Sequence, residues 1–373
     1  FNVPLVTGNE KPLVNSVLNK NDYAGDSSFS HKTSSKLNEL VSSKMSLLTP
    51  SCTHALELAA LLCDIKKGDE VIMPSYTFVS TANAFALRGA KIVFVDVSPD
   101  TMNLDLELVK ESITSKTKVI VPVHYAGTSC DMDYLMAIAN ERNLIIVEDA
   151  AQGINSFYNK SHLGSIGHLG CLSFHETKNI HCGEGGALLV NSEKFIERAE
   201  IIRQKGTNRN QFIKGIVDKY TWVELGSSYL MNELSAAFLY GQIEGMQEAL
   251  SYRLKLWTRY RKNLLKLSEE GFFEILQVPK YNSHNGHIFY LKLKNLSQRD
   301  NMLEFLKLNE ISAVFHYIPL HTSNPGLKHG IFNGIDRFTT SGSEQLIRLP
   351  MHNSLSESDI DYICSKVIDF FNR

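Results

Sequence analysis

The chain has 373 residues and a formal net charge of −2. That length suits about two or three domains, and the charge offers no global basic field for nucleic acid. No apolar run approaches the roughly 18 residues of a membrane span, and the opening Phe1-Asn2-Val3-Pro4 lacks a charged-then-apolar secretion signal. The six cysteines (Cys52, Cys63, Cys130, Cys171, Cys182 and Cys364) form no CxxC pair, a pattern expected of reduced thiols in a cytoplasmic protein.

From about residue 55 to 190, short apolar runs alternate with helical patterns. Val71-Ile72-Met73 ends at a Pro74-Ser75 turn, Ile92-Val93-Phe94-Val95 at Asp96, and Val119-Ile120-Val121 at Pro122. Leu144-Ile145-Ile146-Val147 runs into Glu148-Asp149, and Leu172-Ser173-Phe174 and Ala187-Leu188-Leu189-Val190 follow. Runs apolar on both sides predict a buried, mainly parallel sheet covered by helices. Ligands of such sheets sit beyond the carboxyl ends of the strands. From about 230 to 268, Ile243, Met246, Leu250, Leu254 and Trp257 recur at helical spacing. This helix is expected to link a large domain, residues 1–245 with an arm over about 1–30, to a smaller α+β domain, residues 246–373. In the latter, 288–293 and 314–317 read as strands and 303–308 as a helix.

Several strand-end residues carry chemistry, each with a bland alternative. Ser51-Cys52-Thr53 opens an amphipathic helix, so the segment either binds a phosphate at the helix N-terminus or is a simple cap. Asp149 ends an apolar strand and could hold a pyridinium nitrogen protonated or cap a turn. Lys178 lies just past a strand and before Gly183-Glu184-Gly185-Gly186; it is either a desolvated nucleophile or a surface lysine. Phe78 could stack on a flat ligand or fill the core. Together, a phosphate cap, a ring-nitrogen acid, a flat aromatic and a strand-end lysine at one sheet edge describe a pyridoxal-phosphate pocket. His175 and His181-Cys182 have no second ligand pair at metal spacing, so no metal site is expected.

Four segments carry a family resemblance. They are Pro74-Ser75-Tyr76-Thr77-Phe78, Glu148-Asp149-Ala150-Ala151-Gln152, Ser173-Phe174-His175-Glu176-Thr177-Lys178 and His316-Tyr317-Ile318-Pro319-Leu320-His321. With them the chain resembles the DegT/DnrJ/StrS sugar aminotransferases over essentially its whole length. The resemblance implies an α/β, aspartate-aminotransferase-like fold (pyridoxal-phosphate fold type I), a three-layer domain followed by the smaller α+β domain. It also implies pyridoxal 5′-phosphate as cofactor, L-glutamate as amino donor, a nucleotide-linked keto-sugar as acceptor and a homodimer with shared sites. By the same resemblance Lys178 carries the cofactor, Asp149 meets its ring nitrogen, Gln152 lies near its ring hydroxyl and Phe78 stacks on the ring. Cys52, Thr53 and Ser173 then hold the phosphate. Two departures stand out. The family's Gly-Thr is Cys52-Thr53 here, and its Gly-Tyr-Asn-x-Arg-Met is Gly226-Ser227-Ser228-Tyr229-Leu230-Met231. Ser228 takes the place of the Asn that reaches the neighbouring subunit's phosphate, and Leu230 replaces the Arg.

Substrate contacts are expected from Lys205 and Arg209, in a basic stretch that could meet a diphosphate or simply be solvated. His316, Tyr317 and His321 could close over the site or be structural. Segments Phe174–Asn179 and Lys205–Arg209 point, by likeness within the family, to a TDP-linked 4-keto-6-deoxy sugar. The alternatives are amination at C3, sugar dehydration and a non-catalytic binding module. Dehydratase relatives carry His in place of the lysine, so Lys178 favours transamination. A nicotinamide-dependent Rossmann enzyme lacks support because no GxGxxG opens a helix after a strand.

Overall fold

A strand that is apolar on both faces needs cover on both faces, and the architecture provides it. The computed structural model describes residues 1–372. Seven strands of the large sheet come first, leaving aside a small three-stranded sheet of Phe157–Tyr158, Ser161–His162 and Asn282–Ser283: β1 (Met45–Thr49), β2 (Glu70–Pro74), β3 (Lys91–Val95), β4 (Thr117–Ile120), β5 (Ile145–Asp149), β6 (Leu169–Ser173) and β7 (Gly186–Val190). A second sheet holds β8 (Glu274–Ile275), β9 (Phe289–Lys292), β10 (Val314–Phe315) and β12 (Leu346–Leu349), while β11 (Gly330–Phe332) crosses back to the first. The large sheet has the order β1-β7-β6-β5-β4-β2-β3-β11. Only β7 runs antiparallel to its neighbours; the other adjacent pairs are parallel.

The reversal of β7 matters for the site. Its first residue, Gly186, pairs with Thr49 at the end of β1 and with Ser173 at the end of β6. The loops after β1, β2, β5 and β6 therefore open on the same edge as the start of β7.

Helices cover both faces. Alternation along β2 sends Val71 and Met73 to one side, where Ala55, Leu58 and Ala59 of a helix at Cys52–Leu62 pack against them. Ile72 points the other way, with Ile120 and Ile146, against Met132, Leu135 and Ala139 of the helix Met132–Arg142. Further along that face, Leu48, Leu172 and Leu189 meet Leu37 and Val41 and the first half of a long helix, Glu233–Glu269. This is a three-layer α/β domain of the pyridoxal-phosphate fold type I.

The long helix is capped by Asn232, whose side chain accepts from Ser235 N at 2.9 Å. Its first residue, Glu233, is buried and accepts from Ser30 N at 2.9 Å and Phe29 N at 2.6 Å, so its carboxylate caps the helix Ser28–Val41. The second half contributes Leu256, Trp257, Tyr260 and Leu264 to a separate core with Phe289, Leu291, Ile347 and Ile360. One detail differs from the periodic reading. Leu254 is only half-buried, while Arg253 is 4% exposed. Arg253 can be buried because it donates to three carbonyls, Gly286 O at 2.8 Å and His287 O and Met351 O at 2.7 Å.

The chain between β10 and β12 returns to the large domain. Asp96, just after β3, accepts from Arg337 N and Thr339 N at 2.8 Å and from Thr339 Oγ1 at 2.6 Å. These bonds tie the returning segment to the edge where the strand-end loops open. All six cysteines are unpaired, and among the described residues no helix is long and apolar enough to cross a membrane.

Candidate active site

A cavity of about 640 Å³ opens at the carboxyl edge of the large sheet, with the small domain as its far wall. Of the residues singled out in the sequence, Cys52, Thr53, Phe78, Asp149, Gln152, Ser173, Lys178, His316 and Tyr317 all line it.

The phosphate-like end is built on the helix Cys52–Leu62. Ser51 is its N-cap and accepts from His54 N at 3.2 Å. Thr53 Oγ1 shares a 2.8 Å hydrogen bond with Ser80 Oγ in the first turn of the helix Val79–Ala86. Free backbone N–H groups and hydroxyls thus converge where a dianion would sit. Gly186 makes the approach possible: a Cβ there would lie 2.4 Å from Cys52 N and Ser51 C. Burial, with a smaller push from Asp149, raises the Cys52 thiol well above its usual pKa, so it stays neutral beside the phosphate end.

Asp149 ends β5 and is 5% exposed. Thr81 Oγ1 donates to its Oδ2 at 2.7 Å, and Ala151 N donates to Oδ1 at 3.2 Å. Gln152 is held at both ends: Ala126 N donates to its Oε1 at 2.7 Å, and its Nε2 donates to Tyr317 OH at 3.2 Å. The Tyr317 ring stacks on His316, centroids 3.7 Å apart, and His316 Nδ1 bonds Tyr125 OH at 2.7 Å. Phe78 stands at the rim, 57% exposed, with its ring 6.3 Å from that of Tyr317.

Lys178 lies between β6 and β7, its backbone N–H donating to His175 O at 2.9 Å. Among the described residues its Nζ has no hydrogen bond or ion pair. Burial lowers its pKa below the usual 10.5 against the opposing pull of Cys52 and Asp149, while the Arg348 charge lowers it further. The free amine is therefore more accessible than on a surface lysine.

Other expected residues stand elsewhere. His321 does not line the cavity. Its Nδ1 bonds Ser75 Oγ at 2.7 Å and its Nε2 faces Asp336 Oδ2 at 3.2 Å, so it fastens the returning segment to the loop after β2. Lys205 and Arg209 are exposed and outside the lining, with Arg209 reaching Gln204 Oε1 at 3.5 Å. Ser228 is also exposed and outside this chain's own cavity. Sequence reasoning did not single out Thr81, Ser80, Arg253, His287 or Arg348, all of which line it. For Arg348 a signal exists, because a lone charge interrupts the apolar run Leu346-Ile347-Arg348-Leu349.

The residues present fit pyridoxal phosphate: an amine of lowered basicity, a carboxylate with its oxygens fixed, and a helix N-terminus with a glycine-cleared approach. The fold and this cavity define a pyridoxal-phosphate-dependent aminotransferase. The chain belongs to the DegT/DnrJ/EryC1/StrS aminotransferase family, whose model matches residues 5–368, and it is a sugar aminotransferase. It is 32% identical to an uncharacterized protein, MJ1066, of Methanocaldococcus jannaschii, over 86% of this chain and 84% of that one. It is 29% identical to the GDP-perosamine synthase of Escherichia coli O157:H7, over 99% and 97% of the two chains. Among solved structures, an aminotransferase from Psychrobacter cryohalolentis superposes with a TM-score of 0.92 at 25% identity, over 99% and 98% of the two chains.

Proposed function

We propose that this enzyme transfers the amino group of L-glutamate to C4 of a nucleotide-linked 4-keto-6-deoxy sugar. The acceptor is dTDP-4-keto-6-deoxy-D-glucose and the products are dTDP-4-amino-4,6-dideoxy-D-galactose and 2-oxoglutarate, the reaction of a TDP-4-amino-4,6-dideoxygalactose transaminase. The observation that carries the reading is the presence in one cavity of the partnerless Lys178 amine and the fixed Asp149 carboxylate. The sequence segments at 174–179 and 205–209 support the choice of sugar, and the likeness to a GDP-perosamine synthase supports a nucleotide-linked one.

In this reading Lys178 is the residue that would hold the cofactor. The N-terminus of the helix Cys52–Leu62, with Thr53, Ser80 and Ser173, binds its phosphate. When bound, pyridoxal phosphate supplies an electron-withdrawing ring that stabilises negative charge on an attached carbon. Asp149 holds the proton on the ring nitrogen, and Thr81 and the Ala151 N–H keep its oxygens aimed. The Lys178 Nζ would take a proton off the donor α-carbon, and its lowered basicity keeps it ready to accept one. The same group returns a proton to C4 of the sugar in the second half of the cycle. Gln152 and Tyr317 orient the ring hydroxyl side, and Phe78 covers the ring face and excludes water.

The reading extends to a homodimer. Ile213, Ile216, Trp222 and Leu225 stand exposed on the single chain, which supports their burial against a second copy. Ser228, in the same stretch, would then face the neighbouring site. A cytoplasmic enzyme of deoxysugar and surface-polysaccharide synthesis fits this chemistry.

The test is to incubate the protein with pyridoxal phosphate, L-glutamate and a panel of dTDP- and GDP-linked 3- and 4-keto sugars. Mass spectrometry and NMR of the product should show nitrogen at C4 with one equivalent of 2-oxoglutarate. Nitrogen at C3, or loss of a hydroxyl without gain of nitrogen, would contradict the assignment.

A further inference from the structure

Strand β12 carries a charge that its surroundings do not explain. Leu346, Ile347 and Leu349 are fully buried, and Arg348 between them turns into the cavity. It lies in the interior of the small sheet, opposite Tyr290 on β9 and Val314 on β10. Its Nε is buried without a hydrogen-bond partner. Among the described residues no carboxylate pairs with the guanidinium and no carbonyl accepts from it. The contrast with Arg253 is direct, since that guanidinium donates to three carbonyls. The histidines and tyrosines around Arg348 are neutral, while Lys178, Arg253, Asp149 and Glu184 are ionisable side chains that also line the cavity. Burial drives the pKa values of His287 and His316 well below 6.5, and those of Tyr125 and Tyr317 are raised.

Arg348 is half-buried with its Nε closed off from water and unpartnered, so the wall holds a cation without a counter-charge, an arrangement that suits an incoming anion. The ring of Phe1 lies against the charged group, its centroid 4.8 Å from Cζ. A ring takes up no in-plane hydrogen bond of the kind a carboxylate accepts, so the guanidinium donors remain available for a bidentate pair.

Arg348 is close enough to Lys178 for its charge to depress the lysine's basicity. In a transamination the carbon that must reach Lys178 carries a carboxylate directly on the amino donor. On a nucleotide sugar the diphosphate lies a sugar ring away from the reacting ketone. We infer that Arg348 is the residue that recognises a carboxylate of the amino donor, and that it selects amino acids over simple amines. This rests on the reading of the chain as a glutamate-dependent sugar aminotransferase.

Two measurements on the holoenzyme test it, with R348Q and R348K beside the wild type. The first is calorimetric binding of glutarate, a dicarboxylate with no amino or keto group to react. The second is steady-state kinetics with L-glutamate and the keto-sugar varied separately. Cofactor absorbance and melting temperature show whether each variant is folded and loaded. R348Q should weaken glutarate binding and raise the KM for glutamate by about 10- to 100-fold, the worth of hydrogen bonds to a charged group. The KM for the keto-sugar should stay within about twofold, and R348K should recover part of the loss, having the charge without the fork. A raised sugar KM with an unchanged glutamate KM would overturn the inference and give Arg348 to the diphosphate. Unchanged values for both would overturn it as well. If the wild type aminates no keto-sugar but R348Q still loses glutarate binding, the activity is misread while the carboxylate site stands.

Discussion

Thr81 Oγ1 donates a 2.7 Å hydrogen bond to Asp149 Oδ2 and shares another of 2.7 Å with Thr77 Oγ1. Both threonines are buried, so the chain of hydroxyls is held away from water. A carboxylate anchored in this way keeps one orientation toward the cavity, which is what protonating a ring nitrogen requires.

Thr81→Val should therefore act through Asp149. The side chain keeps its shape but leaves Thr77 and Asp149 short of a partner, at a cost of about 1–3 kcal/mol in stability. Steady-state kinetics should show a fall in kcat smaller than that of Asp149→Ala, for which about 10²- to 10⁴-fold is expected. Wild-type kcat in Asp149→Ala at full cofactor occupancy would remove this carboxylate from the mechanism.

The pH dependence of stability can be given a sign from His162. Its Nε2 accepts from Asn155 N at 2.7 Å and its Nδ1 bonds Leu163 O at 2.7 Å, so a second ring proton would face an N–H donor. Burial lowers its pKa from 6.5 to about 4. The unfolded chain then binds more protons between those values, and stability is lost as the pH falls from 6.5 toward 4. The share of this residue is on the order of 3 kcal/mol. Denaturant midpoints measured across that window should fall less steeply in His162→Gln than in the wild type. Parallel slopes would contradict the account.

His321 predicts a separate effect. It joins Ser75, three residues before Phe78, to Asp336 on the returning segment. His321→Ala should lower stability by about 1–3 kcal/mol and raise the KM for the keto-sugar as the loop carrying Phe78 loosens. Urea unfolding and initial-rate kinetics check both, and unchanged values would mean that the clamp is idle.

The large sheet was legible because β2 to β5 are short and rich in valine and isoleucine, and β6 and β7 are short runs buried on both faces, a pattern that surface strands do not share. The same pattern pointed to strand ends, which is why Asp149, Gln152, Ser173 and Lys178 could be singled out and stand together in the cavity. β11 was not legible, because its place depends on a return from the small domain and on Asp96 capturing the backbone of 337–339. Arg253 sat on a helix among lysines and arginines, and only the three carbonyls facing it explain its burial. Thr81 lies inside a helix, where a threonine carries no mark of the carboxylate it serves. His321 belongs to a motif that reads as part of the site, yet its partners turn it into a tie between segments.

Reduction of the holoenzyme with borohydride, followed by peptide mapping, tests the central claim most directly. The peptide containing Lys178 should carry the reduced pyridoxyl phosphate group, and Lys178→Ala should take up none while still binding cofactor reversibly. Label on another lysine, or none on that peptide, would contradict the account.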